Sequence, residues 1–222
     1  MNLSILEVLG PVMIGPSSSH TAGAARLGRV ARMIAQKPFS KVWFGLHGSF
    51  AKTGKGHGTH QALLAGALGL PEDDEKLRMA FQIAEQQNIE WNFEEIELSD
   101  VHENTVQICF YHTDGTKSKI QGSSLGGGRI EITHINEAVA GFSAEAPTLL
   151  ITQRDVKGVV SEISSTLARE NINIGIMKVS RLEKGKSATT VIETDSAIPA
   201  SIKQTLEKVE DILAVRIIDL DI

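Results

Sequence analysis

Two short segments carry the side chains able to do chemistry. GPSSSHTAG, residues 15–23, sets Ser17, Ser18, Ser19, His20 and Thr21 directly before AARLGRVARMI. GSFAKTGKGHGTH, residues 48–60, sets Lys55, His57, Thr59 and His60 among glycines. A serine ahead of a helix is ordinarily an N-cap, its oxygen accepting a hydrogen bond from a free backbone N–H. Capping accounts for one serine or two, but not for SSSHT as a block approached through Gly15 and Pro16. A first helical turn also offers unpaired N–H groups and partial positive charge, which favour a carboxylate or phosphate. Hydroxyls from Ser17, Ser18, Ser19 and Thr21 would add donors. The segment therefore reads either as an anion-binding site or as capping alone.

The second segment resembles a nucleotide loop only superficially. A P-loop needs four residues between its first glycine and Gly-Lys, followed by Ser or Thr. Five residues separate Gly48 from Gly54 here, and Gly56 follows Lys55. What remains is a Gly-rich loop after a strand, a place where sites are often built. His57 stands between two glycines that supply no packing walls, so an accessible imidazole suited to general-base work is the reading. His57 and His60 also form an H-x-x-H pair, a weak zinc signal. His47, His102, His112 and His134 fall on strand or polar-loop patterns and read as structural or solvated. A third segment, GSSLGGGRIEI at residues 122–132, reads either as an anion nest beside Arg129 or as a wide turn between strands. The role of Gly126–Gly128 stays open.

The elements that must position these groups fall into two domains, residues 1–146 and 147–222. In the first, Thr21–Ala35 has the apolar spacing of a helix, KVWFGLHG is a strand, and Gln61–Leu68 and Asp73–Gln86 read as helices. TVQICFYH and TKSKIQG form a hairpin around TDGT, RIEITHI follows as a strand, and SAEAP at residues 143–147 serves as the linker. In the second, TLLITQ is a strand. Val156, Val160, Ile163 and Leu167 mark a helix, and INIGIMKVSRLEKGKSATTVIET a hairpin turning at Gly185. Pro199 opens a helix through Ile202, Leu206 and Val209, and ILAVRIIDLDI closes as a strand. The order is βαββαβ, the ferredoxin-like arrangement. The fold class is α+β: an N-terminal α+β domain followed by a small ferredoxin-like βαββαβ domain.

Composition removes several function classes. The chain has 222 residues, is 41% hydrophobic and 22% charged, and carries a net charge of −5, which argues against a nucleic-acid binder. Cys109 is the only cysteine, so neither an intrachain disulfide nor a self-contained iron–sulfur site is possible. No apolar run reaches the roughly 18 residues of a membrane span. MNLSILEVLGP lacks the basic start and long apolar core of a signal peptide. The expected compartment is the cytoplasm, with no membrane or nucleic-acid partner.

Together, GPSSSHTAGAARLGRVAR, TGKGHGT and SSLGGGRIEI resemble the beta chain of the two-chain, iron–sulfur-dependent L-serine dehydratases (L-serine ammonia-lyases) over essentially the full length. The C-terminal domain is similar to an ACT domain, and the N-terminal domain also resembles the allosteric substrate-binding domain of some D-3-phosphoglycerate dehydrogenases. The resemblance implies a separate alpha chain that ligates a [4Fe–4S] cluster, L-serine as substrate, and pyruvate and ammonia as products. It implies His57 as the α-proton base and His20 as a second histidine facing the site. Ser17, Ser18, Ser19 and Thr21 would lie near substrate, with Lys55 and Thr59 beside them, and no metal ligand would come from this chain. Aspartate is expected at the position of His60. The ACT loop QRDVKG lacks the Asn-x-Pro-Gly pattern of many effector-binding relatives, leaving Gly158 and Asp155 as possible effector contacts. Self-association through the ACT domain is expected.

Two other function classes compete. A non-catalytic amino-acid-sensing module would use the anion site and the ACT domain but has no need of a histidine in a Gly loop. A hydrolase using His20, His57 and His60 would bind zinc.

Overall fold

The computed structural model describes residues 14–220. MNLSILEVLGP and the last two residues of the closing DLDI lie outside the described residues. Two compact units make up the chain, Met1–Asn136 and Glu137–Ile222.

The first unit runs α1 (Gly23–Ala35), β1 (Phe39–Leu46), α2 (Gly48–Thr53), α3 (Thr59–Ala67), α4 (Ala80–Gln86), β2 (Glu90–Glu95), β3 (Thr105–His112), β4 (Lys117–Gly126) and β5 (Arg129–Ile135). A π-helical turn at Ser18–Ala22 precedes α1, and 3₁₀ turns occupy Gly54–His57 and Glu75–Met79. The strands lie in the order β2–β1–β3–β4–β5. β2 runs parallel to β1, and the other neighbours are antiparallel. Period-2 alternation sends Val42, Phe44 and Leu46 of β1, with Val106, Ile108 and Phe110 of β3, into the core. Against them α1 buries Ala24, Leu27, Val30, Ala31 and Ile34, the 3.6-residue stripe.

α1 and α3 approach as closely as backbones allow. A Cβ at Gly66 would stand 2.0 Å from the carbonyl oxygen of Ala25, and one at Gly28 would stand 2.4 Å from that of Leu63. This reciprocal glycine contact brings the segments before the two helices, SSSHT and GKGHG, side by side.

The second unit runs β6 (Ala138–Phe142), β7 (Thr148–Arg154), α5 (Val159–Arg169), β8 (Ile174–Glu183), β9 (Ser187–Thr194), α6 (Ala200–Leu206) and β10 (Ile212–Ile218). From β7 onward the order is βαββαβ, with an antiparallel sheet ordered β10–β7–β9–β8. The α+β class and the ferredoxin-like order are as the periodicity predicts. Leu149, Ile151, Ile163, Leu167, Ile192, Ile202 and Leu206 form the core between sheet and helices.

Local departures from the sequence reading have identifiable causes. SFAKT and GKGH are helical rather than loop, because the glycines there accommodate the tight turns that join short helices. Asp73–Gln86 is not one helix. The Asp74 carboxylate caps Lys76 N at 2.8 Å, and Leu77 N closes onto Asp74 O at 2.9 Å, giving a 3₁₀ turn before α4. β2, EWNFEE, was hidden by its glutamates, which are unfavourable in strands except at a solvated edge. Near the end of β6 the Gly141 carbonyl accepts a hydrogen bond from Lys178. In the second unit α5 starts after Gly158, so Val159, Ile163, Thr166 and Leu167 form its buried face, and Val156 and Val160 are exposed.

Candidate active site

The π-helical turn sets the first histidine. Ser17 caps it, its Oγ accepting from His20 N at 3.1 Å, while Thr21 N bonds to Ser17 O at 2.9 Å. Insertions of this kind recur at functional sites because they re-aim one side chain out of the helical row. Here the side chain is His20, half-buried against α2. Its Nε2 lies 3.1 Å from Ser49 Oγ and 3.1 Å from Thr53 Oγ1, and its ring meets Phe50 edge-on with centroids 5.4 Å apart.

His57 ends the following 3₁₀ turn. Its ring centroid lies 4.9 Å from that of His20. Nδ1 is 3.1 Å from the backbone carbonyl of Thr53. A carbonyl oxygen only accepts, so Nδ1 carries the hydrogen, and in the neutral ring Nε2 keeps the lone pair. Gly58 follows with φ +70°, the left-handed conformation that joins this turn to α3. A Cβ built on Gly56 or Gly58 would meet nothing within 4 Å, so the imidazole stands clear of its chain neighbours.

Both histidine segments are tied together and to the GGG turn. Thr21, 2% exposed, donates from Oγ1 to His57 O at 3.0 Å. Ser124 Oγ donates to Ser19 O at 2.9 Å, Gly127 N donates to Ser18 Oγ at 3.3 Å, and Arg26 Nη1 donates to Gly128 O at 3.1 Å. Gly126, Gly127 and Gly128 all have positive φ and join β4 to β5 as a wide turn. With Gly127 N–H spent on Ser18 and Arg129 exposed, the turn serves to brace SSSHT.

A cavity of about 250 Å³ opens at His57, lined with Gly15, Pro16, Thr21, Gln61 and Arg78 among others. Arg78 is the one permanent charge in that lining among the described residues. Gln61 donates from its side chain to Arg78 O, fixing the 3₁₀ turn that carries it. A larger open hollow beside β2 is lined by Glu85, Asn88, Ile89, Glu90 and Trp91 and brings neither imidazole nor hydroxyl.

The surroundings of His20 and His60 favour their neutral forms. Burial, and after it the charge of His57 alongside, push His20 below the ordinary histidine value, while a hydrogen bond to the Ser49 backbone pulls the other way. His60 is lowered too, by burial and then by Lys55. His60, however, is turned away from His20 and His57: its ring stacks on Phe93 at 4.3 Å, and Phe93 stacks on Phe44 at 4.7 Å.

The structure thus brings His20, His57, Ser17 and Thr21 together and braces Ser18 and Ser19 through the GGG turn. Lys55 is exposed. Thr59 is fully buried, its side chain under Gly54 and its hydroxyl without a partner. In the second unit the Asp155 carboxylate accepts from Gly185 N at 2.8 Å and pairs with Arg181 at 3.4 Å, while Gly158 precedes α5 with φ +95°. Sequence reasoning missed Ser49, Thr53, Gln61 and Arg78. Ser49 and Thr53 were detectable as a hydroxyl pair at i, i+4, whereas nothing in the local sequence marks Gln61 or Arg78.

Comparison with known proteins identifies the relatives of both units. Residues 4–134 match the family model for the serine dehydratase beta chain, and residues 148–211 match the ACT domain. The chain is 40% identical over 212 residues to the probable L-serine dehydratase, beta chain, of Bacillus subtilis, covering 96% of each protein. It is 38% identical over 208 residues to the L-serine dehydratase, beta chain, of Peptoniphilus asaccharolyticus, covering 93% of this chain and 94% of that one. A weaker likeness, 26% over 144 residues, extends to a chloroplastic D-3-phosphoglycerate dehydrogenase of Arabidopsis thaliana, covering 60% of this chain and 24% of that protein. With its histidine segments inside the matched region and its relatives aligned nearly end to end, the chain belongs to the serine dehydratase beta chain family.

Proposed function

We propose that this chain is the beta subunit of an L-serine dehydratase and supplies the proton-accepting half of its active site. The observation that carries the reading is His57: an imidazole free of its glycine neighbours, pinned through Nδ1, and facing the cavity beside His20. L-Serine loses its α-proton to His57 Nε2 and its hydroxyl from Cβ, a net loss of water that leaves aminoacrylate. Tautomerisation to the imine and hydrolysis release pyruvate and ammonia. General-base assistance of this kind contributes about 10² to 10⁴-fold. Arg78 suits the substrate carboxylate, a charge-assisted pairing. Thr21 lines the wall next to it, and Ser17, Ser18 and Ser19 stand on the turn that carries Thr21.

The residues of this chain do not fit a [4Fe–4S] cluster. Cys109 is the single cysteine, lies on β3, and has its thiol pushed up chiefly by burial. No group of three or more His, Cys, Asp or Glu comes together among the described residues. A cluster in this reading belongs to the alpha chain. The same donor set weakens the zinc-hydrolase reading, since His60 is committed to Phe93. The ACT domain would join protomers, a role supported by the exposed Ile176 and Val179 on β8.

The test is reconstitution. Mixed anaerobically with a cysteine-rich alpha chain, the full chain should convert L-serine to pyruvate, and neither chain should do so alone. Turnover by this chain without a partner, or none by the mixture, would overturn the reading.

A further inference from the structure

We propose that Thr53 is a positioning residue that sets the protonation pattern of both histidines, its backbone carbonyl taking the Nδ1 hydrogen of His57 and its hydroxyl taking the Nε2 hydrogen of His20. The argument is one of counting protons. A threonine hydroxyl owns a single hydrogen. That of Thr53 is spent on Ser49 O at 2.9 Å, the i−4 bond typical of threonine in a helix. Its oxygen then faces His20 Nε2, 3.1 Å away, with lone pairs only. His20 Nε2 must donate, and Nδ1 keeps the lone pair. Ser49 Oγ lies 3.1 Å from the same Nε2 and 3.3 Å from Thr53 Oγ1, so it can share the His20 hydrogen while donating its own to Thr53. On the other side, Thr53 O holds His57 Nδ1 at 3.1 Å.

One residue therefore leaves two bare nitrogens, Nε2 of His57 and Nδ1 of His20, on rings 4.9 Å apart. The side-chain hydrogen bonds of the two rings fall on the other nitrogens, Nδ1 of His57 and Nε2 of His20. Both are available to accept a proton, and their arrangement is determined before any substrate arrives. Its importance for turnover rests on the dehydratase reading above; the tautomers themselves do not.

Histidine ring ¹⁵N NMR on the full chain at neutral pH reads the tautomers directly. In the wild type, His20 should be the Nε2–H form and His57 the Nδ1–H form. Thr53→Val removes the hydroxyl and keeps the carbonyl, so His20 should move toward the Nδ1–H form as the Ser49 hydroxyl donates to Nε2. His57 stays unchanged and reports an intact fold. Thr53→Ser should restore the wild-type pattern, and Ser49→Ala should leave His20 as Nε2–H. A wild-type His20 in the Nδ1–H form, a switch caused by Ser49→Ala, or no change on Thr53→Val would overturn the proposal. In the complex with the alpha chain, Thr53→Val should lower kcat about tenfold with KM little altered, and Thr53→Ser should recover it. A complex with no serine turnover would defeat the dehydratase reading, while the NMR pattern would still decide the role of Thr53.

Discussion

The hydroxyl of Thr21 donates to the backbone carbonyl of His57 across 3.0 Å, joining the turn that bears one histidine to the turn that bears the other. Because the bond ends on a carbonyl, it constrains the position of His57 and leaves the imidazole free. Thr21→Val would leave that carbonyl without its partner, at a cost of about 1–3 kcal/mol. Chemical denaturation should show this loss, together with a fall in turnover of the complex. Stability equal to wild type would mean the tie contributes nothing.

Removal of the His57 ring tests the proton acceptor itself. The backbone bond from Thr21 survives His57→Ala, and open space surrounds the flanking glycines. Folding and alpha-chain association should be retained while kcat falls roughly 10²-fold or more. Near-normal serine turnover by the variant complex would pass the role to His20.

His60 should behave differently. Its ring is committed to Phe93 at 4.3 Å, so His60→Phe keeps the stack and should hold kcat within about tenfold of wild type. A larger loss would place His60 in the reaction.

Acid should destabilise the fold through the same rings. Burial is the main cause lowering both His20 and His60, with the charges of His57 and Lys55 adding to it. Below the unfolded histidine value of about 6.5, the unfolded chain binds more protons than the folded one, so unfolding free energy falls as pH falls. Above that value the contribution is complete. Denaturant midpoints measured across this window should drop toward acid, and His60→Phe should flatten the slope. A slope unaffected by the substitution would assign the acid sensitivity to other groups.

The contact between α1 and α3 should tolerate no side chain. A Cβ on Gly66 would come within 2.0 Å of the Ala25 carbonyl oxygen, a collision with backbone rather than with a flexible tip. Gly66→Ala should therefore cost about 1–3 kcal/mol or more and displace both histidine segments. A crystal structure of the variant with an unmoved His20–His57 pair would contradict this.

Much of the molecule was written in local pattern. The strand runs of β3, β5, β7 and β9 and the apolar stripe of α1 depend on neighbouring residues alone, and each appears where its pattern predicts. SSSHT and GHGT were recognisable as chemistry because hydroxyls and imidazoles among glycines have little packing to do. Three things needed the tertiary structure. The edge strand β2 runs against the strand propensity of its glutamates and forms because β1 pairs with it. The meeting of His20 with His57, thirty-seven positions apart by number (57 − 20), follows from the crossing of α1 and α3, which no local window encodes. Thr53 reads as one more loop hydroxyl until α2 brings its oxygen to His20 and its carbonyl to His57. Local sequence specifies which groups are available to react, whereas lone-pair direction depends on contacts between segments distant in the chain.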